Sequence, residues 1–194
     1  MRRANRDRSS RAIRVPTVGA GPGKLRCVEI VAARPADGEG LHDLHVATWA
    51  VTYRGRVPDA WYCKQLAIHR VRDWADVVRR QRALGGGVLA ARCDGRIVGL
   101  CQYGPTEDDD DDPRRVGHIH RLYVDPARQR TGIGRALLMT STDRLRQMGV
   151  SAATLWVLET DDRARAFYES LGWEADGERK PHPVADLRYR LPLV

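Results

Sequence analysis

The stretch Leu122-Tyr123-Val124-Asp125-Pro126, followed by Gln129-Arg130-Thr131-Gly132-Ile133-Gly134-Arg135-Ala136-Leu137-Leu138, decides how this chain is read. Residues 116–124 read as a strand closed by Asp-Pro, and Ile133, Leu137, Thr140, Ser141, Leu145 and Met148 recur at helical spacing up to Gly149. A strand therefore delivers the chain to a glycine turn that opens a helix. The first backbone N–H groups of such a helix have no intrahelical partner, and together with the helix dipole they attract an anion. Without side chains, Gly132 and Gly134 let a phosphate approach the backbone, and Arg130 and Arg135 add positive charge beside it. The turn lacks the Lys-Ser/Thr of a nucleoside-triphosphate loop, because Arg135-Ala136 stands there. It also lacks the third glycine of a dinucleotide fingerprint, where Leu137 stands. A different pyrophosphate remains.

Around this centre the elements alternate. Residues 28–33 read as a short strand. Three helical stretches follow, carrying Leu41, Leu44, Trp49 and Tyr53, then Pro58 to Leu66, then Val71, Trp74, Val78 and Leu84. Val88 to Cys93 and Arg96 to Tyr103 form a hairpin about Asp94-Gly95, with Cys101 expected opposite Val88. After the central strand and helix come a strand over 153–158, a short helix over 161–171, and two strand-like runs about Lys180 to Pro183. This order predicts a single α/β domain, residues 28–194, with a mixed central sheet.

Composition narrows the function classes. The 194 residues are 42% hydrophobic and carry a net charge of +8, enough apolar content for one core. Residues 1 to 26 hold eight Lys/Arg against the single acid Asp7, so the remainder is nearly neutral and nucleic acid is not an expected partner. Residues 1–27 read as a disordered basic arm. No apolar run approaches the ~18 residues of a membrane span, and a secretory leader is not expected. Cys27, Cys63, Cys93 and Cys101 are scattered, which points to a reduced, cytoplasmic protein.

The segment Gln129-x-x-Gly132-x-Gly134 resembles the acyl-CoA signature of the GCN5-related N-acetyltransferases (GNAT family), with Leu122 to Pro126 upstream of it. Downstream, residues 161–173 resemble that family's closing Asn-x-x-Ala-x-x-Phe-Tyr-x-x-x-Gly-aromatic motif, with Asp161 in place of Asn and with Ala164, Phe167, Tyr168, Gly172 and Trp173 matching. Less specifically, so does Trp49-x-x-x-Tyr53-Arg54-Gly55-x-x-Pro58. The resemblance implies a mostly antiparallel sheet flanked by helices on both faces. It also implies acetyl-CoA as co-substrate, without a metal.

In that resemblance the backbone of Leu122, Tyr123 and Val124 lies along the pantetheine arm, while Leu122 and Val124 also read as ordinary core. Gln129, Arg130, Thr131, Gly132, Ile133, Gly134 and Arg135 hold the pyrophosphate, with Asp161, Ala164 and Phe167 nearby. Tyr168 takes the place of the acid that protonates the leaving thiolate, and a backbone N–H near Val124 that of the oxyanion donor. Asp161 keeps an acceptor, loses an amide donor and makes structural sense as an N-cap.

The base is open. Relatives place a Glu six residues before Val124, where His118 stands here, with His120 two further on. The two read as a base pair, as packed core histidines, or as half of a metal site without a third ligand. Strand alternation puts both on one side with Leu122 and Val124. The acceptor pocket falls near Trp49, Tyr53, Trp61 and the 180–183 turn. The acceptor is expected to be a small-molecule or peptide amine. The acid run Glu107 to Asp112 reads either as a solvated loop or as a field drawing cationic amines. The alternative function is a non-catalytic acyl-CoA-binding module whose basic arm contacts nucleic acid. Dimers are common in the family, so a homodimer is one expected assembly, although no pattern marks an interface.

Overall fold

The computed structural model describes residues 12–17, 26–181 and 183–193. Its strands are β1 (Ile13–Thr17), β2 (Arg26–Ala32), β3 (Gly87–Cys93), β4 (Arg96–Pro105), β5 (Val116–Val124), β6 (Ala152–Leu158), β7 (Glu174–Lys180) and β8 (Asp186–Pro192). Its helices are α1 (Gly38–Tyr53), α2 (Asp59–Arg70), α3 (Trp74–Ala83), α4 (Ile133–Gln147) and α5 (Asp162–Glu169). The eight strands form one open sheet in the order β1-β2-β3-β4-β5-β6-β8-β7. Every pairing is antiparallel except β5 with β6, as the expected mixed sheet requires.

Two cores sandwich the sheet. On one face α4 buries Ile133, Leu137, Leu138 and Leu145 against β3, β4 and β5, joined by Phe167 and Tyr168 of α5. Close approach is possible because Gly117 carries no side chain: a Cβ there would meet Leu145 Cδ2 at 2.6 Å. On the other face Leu41 and Leu44 of α1 and Trp74 and Val78 of α3 cover Val88, Ala90 and Leu100. Burial of Leu41, Trp74 and Leu100 to 0–1% exposure supplies about 2 kcal/mol or more each.

Three expectations change. The sheet begins inside the stretch read as a disordered arm, because Ile13–Thr17 pairs with Arg26–Ala32, Val15 opposite Val28. Pro16 hides this strand in the sequence and is tolerated at a sheet edge, where one side of the strand needs no donor. Residues 1–11 and 18–25 of that stretch lie outside the described residues. In the β3–β4 hairpin a register shift at Ala91/Arg92 moves Cys101 opposite Leu89 rather than Val88, while Cys93 faces Arg96 as expected. Cys93 and Cys101 are free and buried, and Cys63 is free and exposed.

The third change matters most. The β4–β5 register jumps from Gln102↔Arg121 to Tyr103↔Ile119, which leaves His120 as an extra residue in β5. Such a bulge reverses the alternation beyond it. Leu122 and Val124 consequently join Ile119 in the α4 core, while His120 meets Gln81 of α3 and Tyr123 meets His45 of α1 on the opposite face. His118 and His120 do share a face as expected, with ring centroids 4.9 Å apart, whereas Leu122 and Val124 lie on the opposite one.

Candidate active site

The bulge coincides with a parting of strands. β5 pairs with β6 only from Val116↔Ala152 to Ile119↔Leu155, and from His120 to Val124 the edge of β5 that faced β6 has no strand partner among the described residues. The result is a wedge of open backbone that can take an extended chain by β-type hydrogen bonds.

At the wide end of the wedge lies the glycine turn. Arg130 (φ 64°) and Gly132 (φ 88°) are both left-handed, with Thr131 between them. Alternating hand turns successive N–H groups inward as an anion cradle. The first backbone bond of α4 is Ala136 N–H to Gly132 C=O, leaving the N–H groups of Ile133, Gly134 and Arg135 without backbone partners. Gln129 Nε2 donates to Val124 C=O at 3.3 Å and Thr131 Oγ1 to Arg128 C=O at 2.6 Å, which tie the turn to the strand end. Arg130 and Arg135 are exposed beside it, while the Ile133 side chain is buried in the core, so only its backbone faces the turn. Gly134 sits against Val124 and Phe167, 3.6 and 3.7 Å from where its Cβ would be. An open backbone wedge ending in an anion cradle fits a pantetheine arm and its pyrophosphate, so these residues suit acetyl-CoA.

Tyr168, on α5, reaches this wedge from the α4 face. Burial pushes its phenol well above the ordinary tyrosine range, with Cys101, Tyr123 and Asp161 adding to the shift. Tyr53 is raised in the same way, again by burial first, with Tyr123, Tyr168 and Asp161 among its neighbours. Tyr123 and Asp161 thus act electrostatically on both Tyr53 and Tyr168. Asp161 caps α5 by accepting the Ala164 N–H at 3.2 Å, and its other oxygen binds Arg56 Nη1 at 2.7 Å. The carboxylate that replaces the family's amide thus has two structural jobs, and it ties the α1–α2 connection to α5.

At the C-terminal end of α1, Trp49 stacks on Tyr53 at 4.7 Å and on Tyr62 at 5.4 Å, with Trp61 6.3 Å away. The two histidine rings touch edge to face, with centroids 4.9 Å apart, but differ in exposure. His118 is 8% exposed, its Nδ1 lies 2.8 Å from Thr154 Oγ1, and burial first, then His120, pushes its pKa down to about 3. His120 is half-buried and its pKa is also lowered, chiefly by burial, with Glu107 opposing. Gln102 Nε2 donates to Gln81 Oε1 at 2.8 Å, which turns Gln81 Nε2 toward His120 Nε2 at 3.5 Å. His120 Nε2 therefore faces a donor and carries a lone pair. No group of three or more His, Cys, Asp or Glu suited to a metal ion occurs among the described residues.

The acid run is only partly solvated: Glu107, Asp109 and Asp110 are exposed, but several of its carboxylates are held by cations. Asp108, whose side chain is 6% exposed, accepts from Trp156 Nε1 at 3.0 Å and pairs with Lys180 at 2.7 Å. Asp110 and Asp111 hold Arg188 and Arg190, each of which also binds Asp176. The run is a polar cover over β6 and β8, with Lys180 stacked on Trp156 at 4.1 Å.

With this geometry in hand, known proteins are informative. The Acetyltransferase (GNAT) family matches residues 41–173. The chain belongs to the GNAT family. An uncharacterized N-acetyltransferase of Archaeoglobus fulgidus is 31% identical over 137 residues, which is 71% of this chain and 88% of that protein. A mycothiol acetyltransferase of Acidimicrobium ferrooxidans is 28% identical over 97% of this chain, which spans 56% of that relative's length. Among solved structures, the PaiA N-acetyltransferase of Thermoplasma acidophilum in complex with coenzyme A superposes with a TM-score of 0.66 at 20% identity, covering 84% of this chain and 99% of that one. YncA of Salmonella typhimurium, a putative acetyltransferase with acetyl-CoA, gives 0.65 at 19% identity, covering 86% and 94%. As a GNAT acetyltransferase domain the chain uses the family's mixed sheet, and no helix among the described residues is long and apolar enough to cross a membrane.

Several residues that the fold brings near these elements had no part in the sequence expectations for a site: His45, Arg56, Tyr62, His69, Arg72, Gln81, Gln102 and Arg121. Each belongs to an element whose contact partner is distant in sequence. Only Arg121, a charge inside a strand otherwise poor in charge, carried a local signal.

Proposed function

We propose that the protein transfers the acetyl group of acetyl-CoA to a primary amine by direct attack, with Tyr168 as the acid. The observation that carries this reading is the meeting of the β5/β6 wedge, the anion cradle at Arg130 to Arg135, and the Tyr168 phenol at one place. Acetyl-CoA supplies an activated acyl group when bound. The amine nitrogen forms a bond to the carbonyl carbon, the carbon–sulfur bond breaks, Tyr168 O–H gives its proton to the departing sulfur, and the amine proton leaves to a base. The Tyr168 phenol is fully protonated at neutral pH, and because burial raises its pKa and weakens it as an acid, its donation rests on its position against the charge developing on sulfur. Backbone N–H near Val124 supplies the donor for charge developing on the carbonyl oxygen. His120, half-buried on the acceptor side with a lone pair on Nε2, is better suited to receive the amine proton, directly or through water, than His118, which is sealed against Thr154.

Thiol release from acetyl-CoA across a panel of primary amines, with Tyr168→Phe beside the parent, tests the reading. The expected result is turnover with at least one amine and about 100-fold slower turnover in Tyr168→Phe, at unchanged acetyl-CoA affinity. Equal turnover numbers would remove Tyr168 from the acid role. Tight CoA binding with no amine acetylated would favour a non-catalytic acyl-CoA module.

A further inference from the structure

Beside the wedge lies a cluster of basic side chains that the transfer chemistry does not use. His45 of α1 is 0% exposed and touches the rings of His69 (4.7 Å), Tyr123 (5.1 Å) and Trp74 (5.2 Å). Trp74 Nε1 can only donate, and it lies 3.2 Å from His45 Nδ1, so that nitrogen carries the lone pair. Burial pushes the His45 pKa down to about 3, so the ring is neutral and its proton sits on Nε2. That buried N–H has no partner among the described residues. Neither have Arg72 Nε, His69 Nδ1 and Thr48 Oγ1, all from the same three helices and their connections.

Charge points the same way. Arg72 and Arg121 each push the pKa of His45 and His69 down, and Arg121 lowers that of Arg72 after burial. No carboxylate among the described residues lies within 4.0 Å of either guanidinium, and the bond found for Arg121 is to the neutral Gln102 Oε1 at 2.7 Å. Two half-buried guanidiniums that repel each other, with no carboxylate within 4.0 Å among the described residues and with orphaned donors on the same helices, are costly. Tyr123 joins this cluster to the reaction centre: it touches His45, both arginines act on its phenol, and it in turn acts on Tyr168.

We infer that Arg72, Arg121 and the His45 Nε2–H form a subsite for a carboxylate on the acceptor, so that the substrate class is an amine carrying a carboxylate, such as a free amino acid or a peptide with its terminal carboxylate close to the amine. This rests on the acetyl-transfer reading and narrows it. A carboxylate offers four lone-pair directions to the guanidinium forks and the imidazole donor, and supplies the charge that the cluster lacks. Cationic acceptors without an acid group are disfavoured by the same two arginines.

The test compares matched acceptors: a free amino acid, its carboxamide, and the corresponding decarboxylated amine. The acid should exceed both neutral-tailed partners about 100-fold in kcat/KM, as the loss of charged hydrogen bonds implies. In Arg72→Met and Arg121→Met that preference should collapse toward unity, mainly through KM; in Arg72→Met the melting temperature should also hold or rise as the repulsion from Arg121 is relieved, whereas Arg121→Met additionally loses its bond to buried Gln102. A structural role for Arg72 would instead lower the melting temperature of its variant. Equal rates on acid and carboxamide overturn the inference and leave acetyl transfer standing. A readout independent of turnover is the imidazole nitrogen spectrum: the free amino acid, added without acetyl-CoA, should shift the His45 and His69 signals, and the carboxamide should not. Shifts without acetylation of any amine would keep the subsite and overturn the transfer reading. No shift with the acid overturns the subsite.

Discussion

Arg188→Met tests what holds the acid-rich connection onto the sheet. The Arg188 side chain is 5% exposed and meets Asp110 at 2.7 Å, Asp176 at 2.7 Å, Asp111 at 3.5 Å and Asp108 at 3.8 Å. Hydrogen bonding to Asp110, the largest cause, raises its pKa above the ordinary arginine range, and the same contact lowers that of Asp110. Methionine keeps most of the volume and removes the charge, leaving the carboxylates facing one another with only Lys180 and Arg190 to offset them. Breaking a buried pair on one side costs about 3–5 kcal/mol, which for a domain of this size lowers the melting temperature by about 10 °C at pH 7. The sign with pH is fixed by Asp108 and Asp110, both held below the usual carboxylate range in the folded protein. Their stabilisation is present above the unfolded carboxylate pKa and is lost as pH falls through the folded one. The gap between parent and variant should therefore shrink between pH 7 and pH 3.5, because protonation relieves the repulsion that only the variant suffers. Melting curves by circular dichroism at the two pH values measure both quantities. A gap below about 3 °C at pH 7, or one of equal size at both pH values, refutes the reasoning.

Gly134→Ala should leave stability within about 0.5 kcal/mol, since the added methyl meets only ordinary contacts with Val124 and Phe167, yet weaken CoA binding at least about 10-fold in calorimetry by blocking backbone approach. His45 is neutral when folded down to about pH 3 but titrates near 6.5 when unfolded, so the stability it adds is present above pH 6.5 and is lost as pH falls toward 3. Between pH 6.5 and 4.5 this amounts to at most about 2.7 kcal/mol, and His45→Gln should flatten the slope of unfolding free energy against pH by up to one proton; an unchanged slope would count against a buried neutral ring. Asp161→Ala removes a helix cap and the Arg56 contact and should cost about 1–2 kcal/mol in urea unfolding, whereas Asp161→Asn, which still caps, should cost less than half as much.

The acyl-CoA turn was legible because everything it needs is local. The strand end at Val124, the left-handed Gly132 and the unpaired N–H groups of Ile133 to Arg135 lie within about a dozen consecutive residues, and their dihedrals and helix start follow from residue type. The closing motif is likewise one capped turn of helix, from Asp161 to Tyr168. So the sequence alone was enough for the family, for the glycine turn at the start of α4 and for the place of Tyr168 on α5.

What it could not determine belongs to pairs far apart in the chain. The bulge at His120 is a property of β5 against β4, and by shifting alternation one step it sends Leu122 and Val124 to the α4 core and turns His120, Arg121 and Tyr123 toward α1 and α3. The acid run reads as free charge until Arg188, 78 positions from Asp110, is folded against it. The orphaned donors of His45 and Arg72 come together only when α1 and the α2–α3 connection pack on the sheet. Local dihedral preferences act within a few residues, whereas register, burial and counterion pairing depend on which distant residues the packed sheet makes neighbours, and these set the acceptor side of the site.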